Sequence, residues 1–242
     1  MLKKTHLLLF LLLPMVCHAQ NGNGRPRKKK DYLVTIQTTY GPMRLVLYDQ
    51  TPKHKENFIK LVERKFYDSL LFHRVIPEFM MQGGDPNSKT AKPGMMLGNG
   101  DVGYTVPAEI LPDLFHKKGT LAAARDNNPA KASSGCQFYV VQGKVWSEAE
   151  LQKQIDRAHQ RAPERVFTDV QRQTYKTLGG TPHLDGSYTV FGEVIAGLAV
   201  VDSVTAQPRD AQNRPLTDLR MMVTGEWLKK KKITKRYGFS YK

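Results

Sequence analysis

Short β-prone runs, each closed within a few residues by glycine or proline, constrain this chain more than any other feature. Tyr32-Leu-Val-Thr-Ile-Gln-Thr-Thr39 is rich in β-branched residues, Gly41-Pro42 turns the chain, and Met43-Arg-Leu-Val-Leu-Tyr48 follows as the second arm of a hairpin. Further strand-like runs are Leu70–Phe79, broken at Pro77, then Gly119–Ala124, Gln137–Val141, Ser187–Val194 and Leu219–Thr224. Gln82-Gly-Gly-Asp-Pro86 reads as a turn, and Ala91–Gly103, with four glycines, as a long loop. Helices are few. Thr51-Pro52 opens one with proline at its first position and Phe58, Leu61 and Val62 on one face. Ile195–Val204 is a second, short one. Many short strands with few helices predict a mainly β fold, an antiparallel barrel or sandwich. With 40% of residues hydrophobic there is ample material for a core, which excludes a disordered or collagen-like chain.

Between Gly143 and Pro182 the pattern changes. Ser147-Glu-Ala-Glu150 is a capping box, followed by Leu151 and Ile155 on one face and stopped at Pro163. Thr168-Asp-Val-Gln171 is a second, running to Leu178 and stopped by Gly179-Gly180. This predicts a helical hairpin, about 143–182, inserted into a strand-rich chain.

The formal charge of +15 suggests a nucleic-acid binder until it is located. The excess lies in Arg25–Lys30 and Lys229–Lys242, while the body from Asp31 to Leu228 is close to neutral, so no basic groove across the fold is implied and nucleic acid is not expected as a partner. The two basic stretches read as a linker over 20–30 and a tail over 229–242. They serve solubility, or bind an anionic envelope surface. At the other extreme of the chain, Lys3 and Lys4 precede an apolar run from Leu7 to Val16, too short to span a bilayer, which ends in Cys17-His18-Ala19. That pattern predicts a secretory signal peptide over 1–19, cut after Ala19, and an exported protein, periplasmic or secreted. Lipidation at Cys17 ranks second, because Val16 is larger than such sites prefer. Cys136 then stands alone in the mature chain, which excludes an internal disulfide, and beside Phe138-Tyr-Val-Val141 it reads as a small core residue.

No P-loop, Gly-x-Gly-x-x-Gly after a strand, HExxH, CxxC or Gly-x-Ser-x-Gly motif is present. The seven histidines show no metal-ligand spacing, so neither metal nor cofactor is expected. One segment carries chemistry: Phe72-His-Arg-Val-Ile-Pro-Glu-Phe-Met-Met-Gln-Gly-Gly-Asp85. Strand alternation places Arg74 on the side of Phe72 and Ile76, among apolar groups, with a permanently charged fork to offer a carbonyl. On spacing alone the same residues also fit a strand edge with a snorkelling arginine and a core Phe-Met pair.

That segment closely resembles the signature of cyclophilins, the cyclosporin-binding peptidyl-prolyl cis–trans isomerases. Gly119-Thr-Leu-Ala-Ala-Ala-Arg125 resembles the family's Ala-bearing strand. Ser134-Gly-Cys-Gln-Phe-Tyr139 resembles its Gly-Ser-Gln-Phe-Phe segment, and Leu184-Asp-Gly-Ser-Tyr-Thr-Val-Phe-Gly192 its Leu-Asp-Gly-x-His-x-Val-Phe-Gly segment. The likeness runs from about Tyr32 to Gly225 apart from the hairpin. It implies a closed eight-stranded antiparallel β-barrel capped by two helices, which here carries the inserted helical hairpin. It also implies isomerisation of X–Pro bonds during the folding of exported proteins, with proline-containing unfolded or extended polypeptides as partners. A holdase that binds such chains with little turnover is the alternative.

Carried over position by position, the resemblance makes Arg74 the catalytic donor and Gln82 the residue that orients it. Phe79, Met80, Tyr139 and Leu184 line the proline pocket. Ala124 and Gln137 line the adjoining groove, with Phe138 a core or rim neighbour, and Arg125 offers its backbone. Three positions depart from the best-known pattern: Tyr139 stands for a phenylalanine and needs a partner for its hydroxyl, Tyr188 stands for a rim histidine, and His183 stands for a tryptophan that carries much of the cyclosporin affinity. Cyclosporin is therefore expected to bind weakly.

Overall fold

The structure, a computed structural model, describes residues 29–241. The expected signal peptide and most of the basic linker lie outside the described residues. In chain order the elements are β1 (Lys30–Thr38), β2 (Gly41–Leu47), α1 (Pro52–Glu63), β3 (Phe72–Ile76), β4 (Met80–Gly83), β5 (Thr105–Val106), β6 (Thr120–Ala123), β7 (Ser133–Ser134) and β8 (Phe138–Val141). They continue with α2 (Glu148–His159), α3 (Asp169–Thr177), β9 (Val190–Ala196), α4 (Leu198–Thr205), β10 (Met222–Lys229) and α5 (Lys230–Tyr237). Eight strands form one antiparallel sheet in the order β10-β1-β2-β9-β6-β8-β4-β3, and β5 pairs with β7 apart from it.

The expected closed barrel is not formed by continuous ladders. The edge strands β10 and β3 meet through the isolated bridge Leu71–Arg220, supported by Phe72 N–H donating to Leu219 O (2.9 Å) and Met221 N–H to Leu70 O (2.9 Å). The chain before β10 is a turn-rich stretch holding Pro208 and Pro215, and Val75 N–H bonds the Asn213 carbonyl in that stretch instead of a strand. Proline cannot donate to a ladder, so closure stops at one bridge.

Strand alternation sorts side chains between two apolar clusters. Leu121, Ala123, Phe138, Val140 and Met81 enter the main core, where α1 adds Phe58, Leu61 and Val62 and α4 adds Val200, Val201 and Val204. The ring of Phe58 lies 5.0 Å from Tyr67, 5.5 Å from Phe138 and 5.5 Å from Phe191, which packs α1 against β8 and β9. Ala122, Ala124, Tyr139, Val141 and Met80 face the other way, into a smaller cluster with Leu184 and Val190.

Alternation fails at one place that matters. Phe72 and Val75 both enter the main core, three residues apart, because the β3–β4 register shifts between Phe72 and Arg74. This bulge turns Arg74 to the face opposite Phe72, so the expected common side for these two residues is corrected. Likewise Gln82 and Gly83 end β4 instead of starting a turn; the tight position is Gly84, at φ +95°, where a Cβ would lie 2.3 Å from the Cys136 carbonyl oxygen.

The inserted hairpin is present as expected, both capping boxes included: Ser147 and Thr168 each accept from the backbone three residues on, and Glu150 and Gln171 reach back. It leaves and rejoins the body where Gly143 and Gly180 touch; a Cβ on Gly143 would sit 2.3 Å from the Gly180 Cα.

The stretch expected to be a solvated basic tail is ordered. β10 pairs with β1 as far as Lys30–Lys229, and α5 lays Ile233 (0% exposed) on Leu33 and Val46, with Tyr237, Phe239 and Tyr241 packed around them. Lys230 pairs with Asp49 at 2.8 Å. Leu33 and Val46 are opposite each other on the outer face of the β1–β2 hairpin, and that apolar pair needs a cover. Ile233→Ala is expected to cost about 2–5 kcal/mol, as buried Ile truncations do, read by urea unfolding. A loss below about 1 kcal/mol would mean α5 rests loosely on the sheet.

Candidate active site

One row of cross-strand partners builds the site. Arg74 of β3 stands opposite Gln82 of β4, Gln82 opposite Tyr139 of β8, Tyr139 opposite Ala122 of β6, and Ala122 opposite Val190 of β9. Residues directly paired in antiparallel strands share a face, so arginine, glutamine and tyrosine come together although 65 residues of chain separate the first and last. The cleft above them, about 110 Å³, is lined by Arg74, Phe79, Met80, Gln82, Ala124, Arg125, Tyr139, Leu184 and Tyr188. Every one of these was expected at the site from the sequence.

Arg74 is half-buried, and desolvation pulls its pKa down from the usual guanidinium value, with Tyr188 opposing. It donates one N–H to Gln82 Oε1 at 3.3 Å and packs 6.0 Å from the Phe79 ring centroid. Among the described residues no other acceptor engages it, so donors of the fork remain free toward the cleft. Gln82 is held in turn. Its amide donates to Gln137 Oε1 at 3.1 Å, and Gln137 donates to the carbonyls of Gly98 (2.9 Å) and Gly100 (2.8 Å). Asp85 anchors that glycine loop by accepting from the backbone N–H of Gly98 and Gly100. Gln137 thus stands behind Gln82 as its support and does not line the cleft.

Leu184 and His183 come from a 3₁₀ turn, Pro182–Leu184, and the His183 ring lies 5.6 Å from that of Phe79. Phe138 points into the main core. Ala124 spends its backbone on Gln137 and Ser134, whereas neither the N–H nor the C=O of Arg125 has a partner among the described residues. A peptide backbone can pair there. The Arg125 side chain folds back, Nε donating to Ser187 O at 2.8 Å with the guanidinium 4.8 Å from the Tyr188 ring.

The hydroxyl that distinguishes Tyr139 from a phenylalanine has a buried partner absent from the sequence reading. His116 Nδ1 donates to Asp185 Oδ1 at 2.7 Å, which leaves Nε2 to accept the Tyr139 O–H at 3.0 Å. Asp185 also accepts from the His116 backbone N–H (2.9 Å) and from Tyr175 O–H (2.7 Å), and Arg165 lies 3.6 Å away. Tyr175 and Arg165 belong to the inserted hairpin. The insertion is therefore wired to the cleft wall by polar groups that are all nearly inaccessible to water. Only the unexplained Tyr139 hydroxyl hinted at this; the four partners are too scattered along the chain to be read together.

Burial pushes His183 down to about 4, helped by the charges of Arg157 and Arg161, and burial likewise pushes His73, whose two ring nitrogens have no partner among the described residues, to about 4. Both rings stay neutral when folded at pH 5–7, while the unfolded chain protonates them near 6.5. Between about 4 and 6.5 the unfolded state binds more protons, so stability falls as pH is lowered through that window, by at most about 1.4 kcal/mol per pH unit for each histidine. Urea unfolding at pH 7 and pH 5 checks this. His73→Gln should flatten the dependence, and an unchanged slope would place the loss elsewhere.

The chain matches the family model described as cyclophilin type peptidyl-prolyl cis-trans isomerase/CLD over residues 33–226. It is 34% identical over 187 residues to a Staphylococcus haemolyticus protein named provisionally as a peptidyl-prolyl cis-trans isomerase, covering 77% of this chain and 86% of that one. It is 35% identical over 189 residues to a Streptococcus pyogenes protein, provisionally a bifunctional phosphatase/peptidyl-prolyl cis-trans isomerase, covering 77% of this chain and 37% of that longer relative. In fold it is similar to the crystal structure of a Cryptosporidium parvum cyclophilin type peptidyl-prolyl cis-trans isomerase, with a TM-score of 0.56 and 24% identity, covering 81% of this chain and 98% of that one. The chain belongs to the cyclophilin-type peptidyl-prolyl cis–trans isomerase family.

Proposed function

We propose that this chain isomerises X–Pro bonds in extended or unfolded polypeptides (EC 5.2.1.8). The observation that carries the reading is a partly desolvated arginine with free donors, set at the edge of a small apolar cleft beside an unpaired backbone segment at Arg125. The X–Pro amide resists rotation by ~18–20 kcal/mol because its nitrogen lone pair is delocalised. No bond is broken, so neither nucleophile nor proton transfer is required. Phe79, Met80, Leu184 and the Tyr139 ring hold the proline ring. As the amide twists, its nitrogen becomes pyramidal and basic, and Arg74 donates a hydrogen bond to it. Because Gln82 already fixes the guanidinium, little reorganisation is needed at that moment, and the interaction favours the twisted state over the planar one.

The decisive experiment is an isomerisation assay of the full mature chain on a short Ala-Pro peptide. Tight peptide binding without acceleration would replace the enzyme with a holdase. The same rim sets inhibitor binding: His183 offers less apolar area than an indole, so cyclosporin binds weakly, and His183→Trp tightens it by ~1–3 kcal/mol in a titration. No gain would exclude His183 from the drug site. We also propose export, with the folding of exported proteins as the role. The basis is the Lys3–Ala19 pattern, and a mature N-terminus other than Gln20 would count against the cut after Ala19.

A further inference from the structure

A second groove, about 600 Å³, continues from the proline cleft and shares Arg125 and Tyr188 with it. One wall is the turn Asp126–Lys131; the other is Ser187 with Arg161 from the inserted hairpin. Three cations line it, Arg125, Lys131 and Arg161, and none of them pairs with a carboxylate among the described residues. Their neighbours are carbonyls: Arg125 bonds Ser187 O and Asp126 O, and Lys131 bonds Gly186 O at 2.9 Å. The single acid of the lining, Asp126, is turned into its own loop, accepting from Asn128 Nδ2 at 2.6 Å.

Lys131 is held in place at some cost. It sits at φ 52°, a left-handed conformation that side chains with a Cβ adopt reluctantly, and Asn128 clamps the turn by bonding both the N–H and the C=O of Ala132 at 2.8 Å. Arg161 is supplied by the insertion, and its charge already reaches the rim, since it contributes to keeping His183 neutral. A peptide whose proline fills the cleft and whose backbone pairs at Arg125 must run its neighbouring residues along this groove.

We infer that the groove selects substrates carrying an acidic side chain next to the X–Pro pair, with Lys131 and Arg161 as the specificity-determining cations. This rests on the isomerase reading and deepens it. Uncompensated cations along a peptide path favour carboxylates and reject lysine, and like-charge contact is the stronger discriminator.

The test uses the full mature chain and peptides that carry Glu, Ala or Lys beside the Ala-Pro pair, on each side in turn. In wild type, kcat/KM for the Glu peptide should exceed that for the Lys peptide by about tenfold at low salt on one side, shrinking toward unity at high salt. In Lys131→Glu with Arg161→Glu the ratio, normalised to each variant's own rate on the Ala peptide, should fall below one. Lys131→Gln and Arg161→Gln should each reduce it partway. Thermal unfolding midpoints establish that the variants are folded, and Arg161→Gln alone, at an exposed site, serves if the double variant is not. A wild-type ratio near one on both sides overturns the inference, as does a ratio unchanged in the charge variants. Absence of turnover on every peptide is failure of the isomerase reading instead; affinities of the same peptides by titration then decide the groove, with equal Glu and Lys affinities overturning it.

Discussion

Arg74→Ala should lower kcat/KM for a short Ala-Pro peptide by about 10²–10³, the usual cost of removing one preorganised donor. The fold should be retained. Arg74 lies outside both of these apolar clusters, and among the described residues its side chain makes a single hydrogen bond, the 3.3 Å contact to Gln82, so alanine removes a donor without opening a core cavity. The loss should fall mainly on kcat, because the hydrogen bond to the proline nitrogen exists only when the amide is twisted, while the apolar lining holds the ring in either state. Arg74→Lys should not rescue it fully, since an ammonium cannot keep Gln82 and the nitrogen engaged through one planar fork. A folded Arg74→Ala protein with the wild-type rate would remove the catalytic assignment.

Asp185→Ala is expected to destabilise the protein by about 3–5 kcal/mol, measured by urea unfolding at pH 7. Asp185 is 1% exposed and accepts four contacts at once: the His116 ring and backbone, the Tyr175 hydroxyl and the Arg165 guanidinium. Its loss leaves Arg165 without its buried counter-charge and three buried donors without their acceptor, and water has little access to replace it. Tyr175→Phe removes one arm only and should cost about 1–3 kcal/mol. If Asp185→Ala unfolds within about 1 kcal/mol of wild type, the network is not holding hairpin and cleft together. The same aspartate sits inside the Leu-Asp-Gly segment by which the chain resembles its family, between the cleft residues Leu184 and Tyr188. Its work is done on the reverse side of that segment, away from substrate.

What the sequence determined by itself is local or periodic. Proline at the first position of α1 and the capping boxes at Ser147 and Thr168 each depend on residues within a few positions of one another, and the structure shows each of them. The hairpin expected around Gly41-Pro42 also forms, but its turn is Thr39-Tyr40, and Gly41 and Pro42 already pair with Thr38 and Gln37 as the start of β2. The cleft residues were legible for a different reason: four ordered motifs resemble those of one family, and the register row Arg74–Gln82–Tyr139–Ala122 brings three of those motifs side by side. Tertiary structure alone decided the rest. The bulge that turns Arg74 away from Phe72 arises from pairing with β4, and nothing within the Phe72–Ile76 run announces it. The basic C-terminus looked like a solvated tail because its charge is local, whereas its function as a cover depends on Leu33 and Val46, nearly two hundred residues upstream. The His116–Asp185–Tyr175–Arg165 network and the cationic groove have the same character. Each member is unremarkable in its own segment and acquires a role only where burial lowers the dielectric and makes an unpartnered polar group or an uncompensated charge costly.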